Sequence, residues 1–200
     1  MKILILLAHP RKGSFNHAIA RTAAQVLRGN SHRVFFRDLY SEKFNPVLSA
    51  PEMDERCRLS ARIQRYCREA AEADGIIIVH PNWWGQPPGV LKGWVDRVLR
   101  PGVAYRFEEG DGGEGVPKGL LKAGCVLIFN TSNTPPGRER EVFGDPLDNL
   151  WKNCIFRFCG VKRIRRKVFG VIVTSSLRQR KAWLEQVRRE VNRHFPAFKK

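Results

Sequence analysis

No part of the 200-residue chain approaches the roughly 18–20 consecutive apolar residues that a helix needs to cross a bilayer. The longest continuous apolar stretches, Ile3–Ala8 and Ile76–Val79, are strand-sized. Met1-Lys2-Ile3-Leu4 enters a strand pattern at once, which leaves no room for the charged region, apolar run and cleavage site of a secretory leader. These absences point to a cytoplasmic protein. The five cysteines (Cys57, Cys67, Cys125, Cys154, Cys159) are odd in number, and no two are spaced C-x-x-C. That argues against a disulfide framework and a zinc ribbon, and reads as reduced thiols. No His/Cys/Asp set has the spacing of metal ligands, so no metal is expected.

Acidic residues are scarce. Nineteen Asp and Glu face thirty-six Lys and Arg, for a net charge of +17. Between Trp151 and Lys200 there are fifteen basic residues and only two acids, Glu185 and Glu190, so thirteen of the seventeen charges lie there. Such a surface attracts anions, whether phosphorylated cofactors, anionic lipid or nucleic acid. The densest cluster, Lys162-Arg163-Ile164-Arg165-Arg166-Lys167, lacks interleaved aromatics for base stacking, and no helix-turn-helix or zinc-finger spacing accompanies it. It reads first as a solvated basic face, and no nucleic-acid partner is expected.

What is present is an alternation of apolar runs and helical patterns. Strands are expected at Lys2–Leu7, His32–Arg37, Gly75–His80, Ala123–Asn130 and Lys167–Val173. Helices are expected at Phe15–Leu27, Pro51–Ala73, Gly89–Leu99, Leu147–Phe158 and Gln179–Phe195. Near-continuous apolar strands alternating with helices mean an α/β fold, with a parallel sheet covered on both faces. Five strands suit the doubly wound order 2-1-3-4-5, in which ligands bind beyond the carboxyl ends of strands 1, 3 and 4. Residues 1–200 form one domain, and the acidic Gly-rich patch Glu108–Gly115 is a flexible loop within it.

Three loops lie at that carboxyl edge. The first, Ala8 to Asn16, combines His9, two cations (Arg11 and Lys12), Gly13 and Ser14 ahead of a helix start, a construction that can hold phosphate. Neither G-x-x-x-x-G-K-[ST] nor G-x-G-x-x-G occurs in it. The second runs from Pro81 and Asn82 through Trp83 and Trp84 to Gly89. Adjacent side chains diverge in extended chain, so a planar aromatic ligand explains the tryptophan pair better than the core does. The third offers the hydroxyls and amides of Thr131, Ser132 and Asn133 to polar ring edges. Phosphate loop, aromatic loop and polar loop together describe a flavin site.

At these loops the chain resembles the flavodoxin-like NAD(P)H:quinone oxidoreductases, the group of DT-diaphorase and the bacterial drug-activity modulator reductases. The resemblance rests on Leu7-Ala8-His9-Pro10 with Ser14-Phe15-Asn16, and on Asp38-Leu39-Tyr40 with Phe44-Asn45-Pro46. It continues through Leu91-Lys92-Gly93-Trp94-Val95-Asp96-Arg97-Val98, Gly102-Val103-Ala104-Tyr105 and Phe158-Cys159-Gly160, in family order over nearly the whole chain. It implies a flavodoxin-like fold, a bound FMN or FAD, NAD(P)H as hydride donor and two-electron reduction of a quinone in a ping-pong cycle. It implies that His9, Ser14, Phe15 and Asn16 hold the ribityl-phosphate side, and that Pro81, Asn82, Trp83 and Trp84 border the ring. Thr131, Ser132 and Asn133 approach its pyrimidine end, and Tyr105 and Phe107 line the substrate pocket. A homodimer is also implied; the helix with Leu91, Trp94, Val95 and Val98 is expected to pack on the sheet or on the partner subunit, with Trp94 read as an interface residue rather than a site residue. Where the animal enzymes carry a Tyr and a His after strand 4, this chain has Gly137 and Phe143, which cannot relay a proton; His9 is the remaining catalytic candidate. Similar proteins also serve as ancillary subunits of glutathione-gated potassium efflux transporters. In that alternative reading the basic C-terminal quarter docks an acidic domain or an anionic membrane. His80 is read as a structural histidine.

Overall fold

The structure, a computed structural model, describes residues 1–108, 110 and 115–197. Of the acidic patch expected as a loop at 108–115, only residues 108, 110 and 115 are among those described. Among the described residues five strands form one parallel sheet: β1 (Lys2–Leu7), β2 (Arg33–Asp38), β3 (Gly75–Pro81), β6 (Cys125–Ser132) and β7 (Ile164–Gly170). Their order is β2-β1-β3-β6-β7, the doubly wound order expected, with an antiparallel pair, β4 (Tyr105–Arg106) and β5 (Lys118–Gly119), set apart from the sheet.

The two-residue side-chain period of the strands divides the core in two. Leu4, Leu6, Ile76, Ile78, Val126 and Ile128 face α2 (Ala61–Glu72) and α3 (Gly89–Val98). Ile3, Ile5, Leu7, Ile77, Val79, Leu127 and Phe129 face α1 (Phe15–Gly29) and α6 (Leu177–His194). Each buried Leu, Ile or Val contributes about 1.5–3 kcal/mol relative to exposure, so both faces must stay covered. Among the described residues no helix is long and apolar enough to cross a membrane.

Register levels the strand ends. Leu7 sits beside Asp38 on one side and Val79 on the other, and Pro81 sits beside Thr131. The loops that follow β1, β3 and β6 therefore emerge together.

Four expectations need correction. The helix expected over Pro51–Ala73 is two pieces, a 3₁₀ turn at Ala50–Met53 and α2, which begins after the N-cap Ser60. Asp54 to Ser60 has little apolar face to bury, and Glu52 is drawn off to Arg97 of α3 at 2.6 Å, so nothing holds a continuous helix there. The last strand starts three residues early, and Arg165, Arg166 and Lys167 lie on it; Arg165 faces solvent on this edge strand, while the buried side chain of Arg166 is paired with Asn130 and Asp145. Trp94 is buried in this chain's own core rather than presented to a partner. Leu147–Phe158 is a short α5 (Pro146–Asn149) running into a π-helical segment at Leu150–Arg157, where Trp151 is fully buried.

Candidate active site

The chain leaves β1 through Ala8, whose N–H donates to Val79 O at 3.0 Å. Arg11 N–H donates to His9 Nδ1 at 3.1 Å, so a neutral His9 carries its proton on Nε2. Burial lowers the pKa of His9 below the ordinary histidine range. Gly13 takes a positive φ of 75°, which turns the chain into Ser14. Ser14 stands at the N-cap of α1, yet its hydroxyl bonds no helix N–H. Ser14 Oγ lies instead 2.9 Å from His17 Nδ1. The first turn of α1 thus keeps its free N–H groups and positive end without a side-chain cap, and no acid stands in that turn.

Asn16 is buried, and its Nδ2 donates to Thr131 Oγ1 at the end of β6 at 2.9 Å. Its Oδ1 has no partner. A buried orphan acceptor costs of the order of 1–3 kcal/mol, a cost that a ligand donor removes.

The second loop is a tight turn. Trp83 and Gln86 exchange both backbone hydrogen bonds, at 3.1 and 2.9 Å, while Trp84 and Gly85 have φ of 56° and 70°. Positive φ at both central positions suits Gly but strains Trp84 by about 1–3 kcal/mol. Trp84 is nonetheless fully exposed and Trp83 is 40% exposed, so neither belongs to the core. Asn82 anchors the turn: its N–H donates to Thr131 O at 2.7 Å, its Oδ1 accepts from Gly85 N–H at 3.0 Å and its Nδ2 donates to the buried Glu139 of the short helix α4 (Pro136–Glu141) at 2.9 Å. Thr131 and Ser132 belong to β6 rather than to a loop. Beyond them Thr134 N–H donates to Ser132 Oγ at 3.0 Å, and Val173 N–H to Asn133 Oδ1 at 3.2 Å.

His9, Ser14, Phe15, Asn16, Pro81, Asn82, Trp83, Thr131, Ser132 and Asn133 all line one cleft of about 440 Å³. Trp84 borders an adjoining recess of about 380 Å³, which shares Asn82 and Thr134 with the cleft and is walled by Phe143. Tyr105 and Phe107 do not line this cleft; they pack with Phe158 in an aromatic cluster, with Tyr105–Phe158 ring centroids 4.8 Å apart. Arg138 and Arg140 do not line it either: Arg138 stacks over Phe143 at 5.8 Å, and Arg140 faces a separate recess.

Ile172 and Val173 also line the cleft, and two polar contributors escaped the sequence reading. Arg180 of α6 reaches the cleft, held by Ser175 Oγ at 2.8 Å and Ile172 O at 3.0 Å. His17 backs Ser14 one helical turn away. Arg180 was masked by the general basicity of the C-terminal quarter, and the role of His17 depends on contacts that no local pattern encodes.

Beneath the cleft, His80 is fully buried and neutral. Its Nδ1–H donates to Pro81 O at 2.8 Å, while Nε2 accepts from Asn130 Nδ2 at 2.7 Å and from Trp151 Nε1 at 3.0 Å. Burial pushes its pKa down to about 3. Arg166 clasps Asn130 Oδ1 at 2.6 Å and both Asp145 oxygens at 2.8 Å, which locks this layer. The structural reading of His80 therefore holds.

An uncapped helix end, an orphan amide oxygen, an exposed indole and amides at a strand edge fit a ligand with both a phosphate and a polar-edged planar ring. A doubly wound sheet with this site at its carboxyl edge defines an α/β protein of the flavodoxin type. The chain belongs to the flavodoxin-like fold family, whose model matches residues 1–195. It is 36% identical over 189 residues to a Haemophilus influenzae protein described as an uncharacterized NAD(P)H oxidoreductase, with 92% of this chain and 91% of the relative covered. It is 30% identical over 205 residues to the mouse ribosyldihydronicotinamide dehydrogenase [quinone], with 92% and 87% covered. The crystal structure of Smu.1420 from Streptococcus mutans superposes with a TM-score of 0.83 at 28% identity, covering 96% of this chain and all of that one.

Proposed function

We propose that the cleft holds a flavin, FMN or FAD, and that the protein is a flavin-dependent NAD(P)H:quinone oxidoreductase. The observation that carries this reading is the convergence on one cleft of the uncapped α1 terminus, the orphan Asn16 Oδ1 and the Asn82–Trp83 turn. The names of the Haemophilus and mouse relatives support the same class.

A bound flavin supplies two-electron chemistry, taking hydride from NAD(P)H and giving it to a quinone or similar small electrophile in a ping-pong cycle. The chain supplies binding and orientation. The α1 N-terminus, Ser14 and Arg11 take the phosphate side, with His9 and Phe15 beside them, and Asn16 Oδ1 receives a donor. Pro81, Asn82 and Trp83 border the ring, and Thr131, Ser132 and Asn133 meet its polar edge. Trp84 extends an aromatic face toward the acceptor. The excess of positive charge draws the anionic NAD(P)H toward the protein.

Gly137 and Phe143 move no proton, so with a flavin bound the backbone N–H groups of the Thr131–Asn133 segment and the cationic field would be left to stabilise negative charge at its polar edge. His9, neutral with Nε2–H as its donor, orients rather than relays. Tyr105 and Phe107, remote from this chain's cleft, serve the substrate side of a partner's site in a homodimer.

Steady-state oxidation of NADH or NADPH with menadione tests the reading. Turnover that requires added or bound flavin supports it; no turnover with a flavin-saturated protein overturns it.

A further inference from the structure

Behind the phosphate loop three side chains form a row, with His17 buried at its centre and Ser14 and Asp38 partly buried on either side. Asp38, at the end of β2, accepts from Ser41 N–H at 3.1 Å and from Ser41 Oγ at 2.7 Å, and lies 3.2 Å from His17 Nε2. His17 Nδ1 in turn lies 2.9 Å from Ser14 Oγ, which borders the cleft. The side chain of His17 is 6% exposed and that of Asp38 14%, so the row is screened little by solvent.

The donor arithmetic along this row has two solutions. A carboxylate only accepts, so His17 Nε2 carries a hydrogen toward Asp38. In the neutral imidazole Nδ1 is then a bare acceptor, and Ser14 must turn its O–H inward to it. That leaves only hydroxyl lone pairs facing the cleft, the wrong sign for a phosphate oxygen. When His17 takes a second proton on Nδ1, it donates to Ser14 Oγ instead, and the serine hydrogen is freed to point outward. Asp38 balances the imidazolium.

We propose that His17 is a positioning residue that couples the binding of a phosphate at this loop to the uptake of one proton. The inference rests on the flavin reading in taking the flavin phosphate as the anion. One proton passes from solvent to His17 Nδ1, the Ser14 hydroxyl rotates, and no covalent bond changes. The titratable and charged groups that face the row from neighbouring elements are Asp38 on β2, and His9 and Arg11 in the loop after β1, with the His9 and His17 rings 6.3 Å between centroids. Burial first, and then the positive charge of His17 and Arg11, lowers the pKa of His9, and the His17→Gln variant separates uptake at His17 from uptake at His9. The missing helix cap follows from the same arrangement, since the hydroxyl that would cap α1 is engaged by His17.

The test is calorimetric titration of FMN and of riboflavin, which lacks the phosphate, into the flavin-free full chain. Titrations are run at pH 7.5 in buffers of different ionisation enthalpy, where a phosphate monoester is already almost fully ionised. The dependence of the observed heat on buffer counts the protons. Expected are uptake approaching one proton with FMN, none with riboflavin, and none with FMN in His17→Gln, whose side chain hydrogen-bonds but does not titrate. The FMN affinity of the native chain should fall by up to about tenfold per pH unit above neutrality, while that of the variant stays level. FMN binding without uptake, or equal uptake with riboflavin, overturns the coupling and leaves the flavin reading standing; both arms use the native chain and hold even if the variant fails to fold. Binding of neither FMN nor riboflavin overturns the coupling, and absence of FAD binding as well overturns the flavin reading.

Discussion

Asn16 Nδ2 donates to Thr131 Oγ1 across 2.9 Å, a bond that joins the start of α1 to the end of β6, 115 residues apart in sequence. It holds the first and third sides of the cleft at a fixed separation while Asn16 Oδ1 remains open. Thr131→Val keeps the shape and removes the acceptor, leaving a buried amide N–H unpaired. The expected loss of stability is about 1–3 kcal/mol in denaturant unfolding, with weaker flavin binding besides.

Ser14 is expected to bind phosphate rather than cap a helix. Ser14→Ala removes one hydrogen bond to a charged group, worth about 1.5–3 kcal/mol, or roughly 10- to 100-fold in flavin Kd. Ser14→Asp places like charge beside the phosphate and should weaken binding further. The Ser14 hydroxyl bonds His17 Nδ1 and no helix N–H, so Ser14→Ala should lower the stability of the flavin-free protein by no more than the loss of that one hydrogen bond, about 0.5–1.5 kcal/mol. Fluorescence titration and thermal melts of the two variants check both halves.

His80 ties stability to pH. Its folded pKa of about 3 lies below the ordinary value of 6.5, so its contribution is complete above pH 6.5. The contribution is lost as pH falls toward 3, by about 1.4 kcal/mol per unit for a single group. His80→Phe strips the acceptor from Asn130 and Trp151 and should cost about 2–5 kcal/mol at pH 7.5. The gap between native chain and variant should narrow steadily between pH 6.5 and 4.5 in denaturant melts. A constant gap would mean that the fold does not lower the pKa of His80.

The proposed homodimer would put the aromatic cluster to use. Phe107 and Phe158 are exposed and adjoin Tyr105, a combination suited to a partner's surface. Light scattering at micromolar concentration should give twice the chain mass of 22.9 kDa. Phe158→Asp should shift it toward one chain mass, and a native monomer with full turnover would contradict the arrangement.

The sheet was legible because its strands are buried on both faces and read as unbroken apolar runs. The site was legible because strand order dictates which loops meet, and ten of the eleven residues named for flavin binding do line one cleft. Trp84 stands on the adjoining recess instead, since the left-handed turn aims it outward. What stayed hidden was set by distant partners. The break before α2 depends on Arg97 reaching Glu52, and the early start of β7 on Arg166 finding Asn130 and Asp145. Two-residue strands such as β4 and β5 are too short to carry a period. Burial of Trp94 could not be distinguished from an interface by helical spacing, because both present the same stripe.

The central claim is that this cleft holds a flavin. Purified full-length protein, mixed with FMN or FAD at tens of micromolar and freed of excess, should retain a yellow chromophore with quenched flavin fluorescence in a ratio near one per chain. Retention should fall sharply in the Ser14→Asp variant. A colourless native protein, with flavin fluorescence unquenched by either cofactor at that concentration, would contradict the account.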